Sequence, residues 1–184
     1  MRTESGATTN LEECKVADKS KENGLRVDGK GTCVKARKCT FQGKDFSGVF
    51  IESEATAQLD GCTVASNKYH NVLVRGKAAV GLVGCIIADS LIKTGFVVIG
   101  KGMFGEALDS TFQGKRFSVY VDQQGTVQLD KCTMMKSPQG NVGAAGSAFC
   151  TIVSCTLTDS SEWSEGTWGG HLRGGQELHV PGEL

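Results

Sequence analysis

The chain has 184 residues, and its Lys+Arg and Asp+Glu totals are both 20, giving a formal net charge of zero. That balance argues against a polyanionic partner such as nucleic acid and against an anionic membrane surface. No stretch approaches the roughly 18 consecutive apolar residues of a membrane span, and polar Met1 to Asn10 lacks the apolar centre of a secretory signal.

From the N-terminus onward one phrase returns, apolar-x-x-Cys-x-apolar. It runs Leu11 to Val16 around Cys14, then Ala36 to Phe41 around Cys39, Leu59 to Val64 around Cys62, and Leu82 to Ile87 around Cys85. Ser110 takes the Cys place between Ala107 and Phe112, and Cys132 and Cys155 complete the series. The anchors are 25, 23, 23, 25, 22 and 23 residues apart. A second phrase, Gly or Asn before apolar-x-apolar, opens at Gly24, Gly48, Asn71, Gly95 and Asn141, with Ser118 the exception. Gly and Asn tolerate the left-handed backbone region, so this column predicts a turn entering a strand. A mostly small column follows each strand: Gly29, Ser53, Gly76, Gly100, Gln123 and Gly146.

Short period-2 strands at a fixed repeat, with no 3.6 period, predict a solenoid. A leucine-rich repeat shares the period, but the chain holds only 12 Leu and lacks the Leu-x-Leu core. The predicted fold is therefore all-β: a single-stranded parallel β-helix of about seven coils, with ~23 residues per coil, right-handed as strand crossovers overwhelmingly are. Residues 1–6 would form an N-terminal lead, 7–160 the coils, and 161–184, with Trp163, Trp168 and Pro181, an irregular C-terminal cap. A first coil without a cap would suggest a fragment of a larger protein or end-to-end association.

These columns resemble the right-handed β-helix repeat of the pectin-lyase-like superfamily over about residues 7–169. They are most similar to the short-looped version in F-box-type adaptors and other intracellular repeat proteins. That superfamily holds lyases, glycosidases, adhesins and non-catalytic binding modules, so the resemblance implies a fold more than a function.

Alternation turns the anchor column inward. Cys14, Cys39, Cys62, Cys85, Cys132 and Cys155 then form a core ladder of one small apolar residue per coil. Cys33 and Cys150 stand apart. Neither Cys-x-x-Cys spacing nor any His–Cys spacing predicts a metal or cofactor. His70, His171 and His179 read as solvated. A ladder of reduced thiols points to an intracellular location, cytoplasmic or nuclear.

Facing outward, Phe50, Leu73, Val97 and Tyr120 fall on consecutive coils, between Arg26 and Gly143. A contiguous apolar stripe with a polar rim marks a contact surface, for a protein partner or for self-association. The other expectation is that the Trp-bearing tail after Cys155 folds back over it. A glycan could instead stack on Phe50 and Tyr120. For catalysis only Asp28, Glu52 and Arg75 lie on adjacent coils, where the carboxylates would stand ~5 Å apart, as in retaining glycosidases. A solvated charge column has the same appearance, and the turns stay within a few residues of each other, unlike the long loops that wall the cleft of most catalytic β-helices. Asp60 and Asp130 share a column but are separated by Val83 and Leu108. A Thr column after the anchor (Thr40, Thr63, Thr111, Thr133 and Thr156) resembles the flat face of ice-binding solenoids. Ile86, Gln42, Gln113 and Met135 interrupt it.

Overall fold

A computed structural model describes residues 1–17, 21–135 and 137–158, and the backbone of 171–174. Over these the chain winds as a right-handed parallel β-helix of about seven turns with ~23 residues per coil. Each coil adds one strand to each of three parallel sheets. In the second coil these are Leu25–Asp28 in sheet A, Cys33–Arg37 in sheet B and Thr40–Gln42 in sheet C. No helix among the described residues is long and apolar enough to cross a membrane.

The register is in step throughout, so like residues stack on like. Inside, Val27, Ile51, Val74, Val98 and Val121 rise through sheet A, while Leu59, Leu82, Ala107, Leu129 and Ile152 rise through sheet B. Each buried aliphatic side chain contributes roughly 1.5–3 kcal/mol of apolar burial. Phe96 and Phe112 stack with ring centroids 5.7 Å apart. They fit because Gly105 faces them: a Cβ there would lie 2.6 Å from Phe96 Cζ.

The residues expected as a lead contain a strand. Arg2–Glu4 pairs in parallel with Arg26 to Asp28, so sheet A begins at residue 2. At the other end His171–Gly174 pairs with the Phe149–Val153 strand and extends sheet B by one strand. The cap expected over 161–184 otherwise lies outside the described residues.

The corners correct one expectation. Gly24, Gly48, Gly95, Asn71, Ser118 and Asn141 are not in the left-handed region. Gly is required at the first three by close approach. A Cβ on Gly24 would lie 2.5 Å from Gly48 O, one on Gly48 2.4 Å from Val64 Cγ1, and one on Gly95 2.8 Å from Ser118 O. Asn71, Ser118 and Asn141 instead turn polar side chains inward to bond backbone carbonyls of Ala88, Phe112 and Thr158. The left-handed turns lie elsewhere. One set follows sheet A at Gly29, Ser53, Gly76, Gly100, Gln123 and Gly146. A second immediately precedes the anchor column, at Glu13, Lys38, Gly61, Gly84, Asp109, Lys131 and Ser154, and a third follows sheet C at Gly43, Ser66 and Asp89.

An L-residue in that conformation costs ~1 kcal/mol or more. Lys38 (φ 52°) carries that cost, and its 3.6 Å contact with Glu13 is exposed and stabilises little. Lys38→Gly is therefore expected to raise the unfolding free energy by about 0.5 kcal/mol, after the larger chain entropy of Gly is set against the relieved strain. A urea titration against the parent chain checks it.

Candidate functional site

Sheet A brings the sequence-predicted columns together. Arg2, Arg26, Phe50, Leu73, Val97, Tyr120 and Gly143 follow one another in register. Glu4, Asp28 and Glu52 run alongside, one per coil. The stripe is nevertheless not an open apolar surface. Phe50 is 7% exposed and Val97 1% exposed, while Leu73 and Tyr120 are half-buried. The reason is the reach of neighbouring side chains. The Arg26 and Arg75 guanidinium groups lie over the Phe50 ring, 5.7 and 4.7 Å from its centroid. Phe117 stacks on Tyr120 at 5.4 Å. A sugar ring therefore finds Phe50 already covered. The covering expected from the tail lies outside the described residues, and the segment that is described, His171–Gly174, joins sheet B.

Asp28, Glu52 and Arg75 do assemble, with Arg26 as a fourth member. Arg75 grips Glu52 Oε2 through Nε at 2.9 Å and Nη2 at 2.7 Å. Arg26 Nη2 lies 2.6 Å from Glu52 Oε1 and 3.0 Å from Asp28 Oδ2. Arg2 reaches the same Asp28 oxygen at 3.4 Å and Glu4 at 2.7 Å. Hydrogen bonding from Ser53, and then from Arg26, holds the Asp28 carboxyl below its ordinary range. Glycoside cleavage needs one carboxyl kept protonated as the acid. Here Asp28 is held ionised, Glu52 Oε2 accepts both Arg75 bonds, and the buried Glu52 Oε1 meets Arg26 as an ion pair without a hydrogen bond. The group is a charge ladder stabilising the face. Asp60 and Asp130 stay apart, with Val83 and Leu108 between them in register.

The loops joining sheet C to sheet A form a second feature that strand alternation does not reach. They stack as a ridge: Tyr69 N–H donates to Phe46 O, Leu91 N–H to Asn67 O, and Arg116 N–H to Lys93 O. Phe46 packs on Tyr69 at 6.0 Å, and Lys68 and Lys93 lie over the Tyr69 ring at 6.0 and 5.0 Å. Phe46, Leu91 and Ile92 are 51, 58 and 47% exposed. The signal was available in the repeat, since Phe46, Tyr69 and Ile92 recur at 23-residue intervals. His70, expected to be solvated, lies in this ridge with a buried Nδ1 that has no hydrogen-bond partner. Burial, and then the Lys93 charge, lower its pKa to about 4. The side chain of His171 and all of His179 lie outside the described residues.

Between ridge and sheet, over the first four coils, lies a cleft of about 610 Å³. Phe50 and Leu73 line it from the sheet and Phe46 from the ridge, with the cations Arg2, Lys21, Arg26 and Arg75 around them.

The cysteine ladder is internal. Cys39, Cys62, Cys85, Cys132 and Cys155 are buried and Cys14, on the first coil, is partly so; all eight cysteines are free. Cys150, isolated in the sequence, continues the inward column of Val34, Ala57, Val80, Gly105 and Val127. Burial pushes its thiol up to about 12. Hydrogen bonds between neighbouring sulfurs push Cys85 and Cys132 up and Cys62 and Cys155 down. Burial disfavours a thiolate on either member, so we read both pairs as protonated. Among the described residues no three His, Cys, Asp or Glu side chains gather as metal ligands. On sheet C, Thr40, Thr63, Ile86, Thr111, Thr133 and Thr156 stand in register, with Ile86 exposed in their midst.

A family model described as "right handed beta helix region" matches residues 23–104. No curated protein and no solved structure matches the chain.

Proposed function

We propose that this chain is a non-catalytic binding or scaffold module, engaging protein through sheet A and the adjoining ridge. One observation carries the reading: Phe46 and, two loops further on, Leu91 and Ile92 are exposed along the ridge with half-buried Tyr69 on the loop between them, while the nearby carboxylates are held by arginine. Apolar side chains in a row, rimmed by charge, are the anatomy of a contact surface. Because each coil packs only on its neighbours in unbroken register, the surface is presented on a stiff support. Buried free thiols, stacked on the core ladder except where Ser110 interrupts it, support an intracellular, reducing location.

The test is solution mass by light scattering together with a glycan-turnover screen. Leu73→Glu is expected to abolish association that the parent chain shows, because it replaces the apolar patch of the contact face with a carboxylate among the cations beside it. Turnover of a glycan that disappears in Glu52→Gln would overturn the reading in favour of a carbohydrate-active β-helix.

A further inference from the structure

We infer that the cationic cleft receives the acidic, Trp-bearing segment 159–168 of a second copy, so that chains join head to tail. The inference rests on the binding-module reading and names the occupant of its face.

The cleft is asymmetric in charge. Arg2, Lys21, Arg26 and Arg75 line it, against Glu22 alone. The carboxylates that balance the three arginines, Glu4, Asp28 and Glu52, do not line it, and the Glu52 side chain is only 10% exposed. Lys21 has no ion-pair partner among the described residues, and the buried Arg26 Nε has no acceptor. The cleft thus offers cationic donors around an apolar patch of Leu73 and exposed Phe46. Its complement must alternate carboxylates with large apolar groups. A polyphosphate or a sulfated glycan has the charge without the apolar groups.

The chain itself carries such a segment. Residues 159–168 read Asp-Ser-Ser-Glu-Trp-Ser-Glu-Gly-Thr-Trp, with Asp159, Glu162 and Glu165, two Trp and no Lys or Arg. Within one molecule it cannot reach the cationic end of the cleft, on the first two coils, because the chain between its two anchors extends at most about 20 Å out and back. Its flanks are held at the far end, by the Thr156–Thr158 strand on one side and by His171–Gly174 paired to Phe149–Val153 on the other. The first and seventh coils are separated by six steps of ~4.8 Å, roughly 30 Å. Head-to-tail stacking removes the distance. In the order of a coil, the sheet A position comes between the strands of sheets C and B, and in the sequence 159–170 comes between Thr156–Thr158 of sheet C and His171–Gly174 of sheet B. The continuing copy presents Arg2 and Arg26 at that place, on the first two strands of its own sheet A. Such contacts are heterologous, so mass should grow with concentration instead of stopping at a closed dimer.

The test combines a probe peptide with a charge swap in the full chain. A fluorescein-labelled peptide of residues 159–168 should bind the full chain, more weakly as salt rises. Lys21→Glu, a loop change that leaves the melting temperature in place, should weaken binding about tenfold. In light scattering, Glu162→Lys with Glu165→Lys should lower the mass of the full chain, and mixing that variant with Lys21→Glu should restore association. Three results would each overturn the inference: no peptide binding, an octaglutamate that binds as tightly as the peptide, or a mass unmoved by both charge reversals. Were Leu73→Glu still to lower the mass when the charge reversals do not, the binding-module reading would stand and only this occupant would be wrong.

Discussion

Asn67→Leu is expected to destabilise the chain by about 3–5 kcal/mol, enough to leave many domains of this size largely unfolded at 37 °C. Asn67 is fully buried at the corner where the ridge meets sheet A. Its Oδ1 accepts the Lys44 N–H at 3.1 Å, and its Nδ2 donates to Phe41 O at 3.2 Å and Asn71 Oδ1 at 2.9 Å. Leu is close in volume, so the change keeps the packing and removes all three bonds. Each buried polar group deprived of its partner costs about 1–3 kcal/mol. Asn71 Oδ1 loses that donor and keeps only the longer bond from the Asn67 backbone N–H at 3.4 Å, while its own Nδ2 still reaches Ala88 O at 2.6 Å. The expected outcome in chemical denaturation is a large fall in midpoint with little change in slope. Gln58→Leu, on an outward position of sheet B, should stay within about 0.5 kcal/mol of the parent. Equal losses for the two would mean that the corner network contributes nothing beyond side-chain polarity.

That corner also marks what a sequence can and cannot convey about this fold. The repeat was legible because a parallel solenoid maps spacing directly onto neighbourhood: residues one period apart become partners, and alternation decides in from out. Hence the Cys ladder, the separation of Asp60 from Asp130, and the adjacency of Asp28 and Glu52 could all be read beforehand. The Gly24–Gly48–Asn71 column could be seen but not explained. Gly serves a left-handed φ and a close approach equally well, and only the 2.4 Å gap between a Gly48 Cβ and Val64 tells them apart. The stripe was misjudged for a related reason. Alternation gives the direction in which Phe50 points and says nothing of how far Arg26 and Arg75 reach across it. Long cationic side chains lay their stems and guanidinium planes over apolar surface. The exposed apolar side chains are displaced by a few residues into the loops, where no period-2 rule applies. There Phe46 and Ile92 stay open because the neighbouring Lys68 and Lys93 lie over the Tyr69 ring instead.

Lowering the pH should weaken the parent chain in two stages, and the first belongs to His70. Its folded pKa of about 4 lies below the ordinary value of 6.5. The buried ring is thus kept neutral, Nδ1 has no acceptor for a second proton, and the Lys93 ammonium opposes a positive charge. The unfolded chain therefore binds more protons than the folded one between these two values. Stability is complete above pH 6.5, falls as the pH drops toward 4, and levels off below it. The whole span is worth up to about 3 kcal/mol. Asp28 acts in the next window, since its folded pKa is depressed. What it contributes is present above the unfolded value near 3.9 and is lost as the pH falls through the lower folded value. Urea midpoints at pH 7.5, 5.5 and 4.5 for the parent and for His70→Gln separate the two. The variant should be flat across this range while the parent declines, and both should weaken together below pH 4. An equal decline in both chains would show that the ring is solvated and that the ridge packs more loosely around it than Nδ1 burial implies.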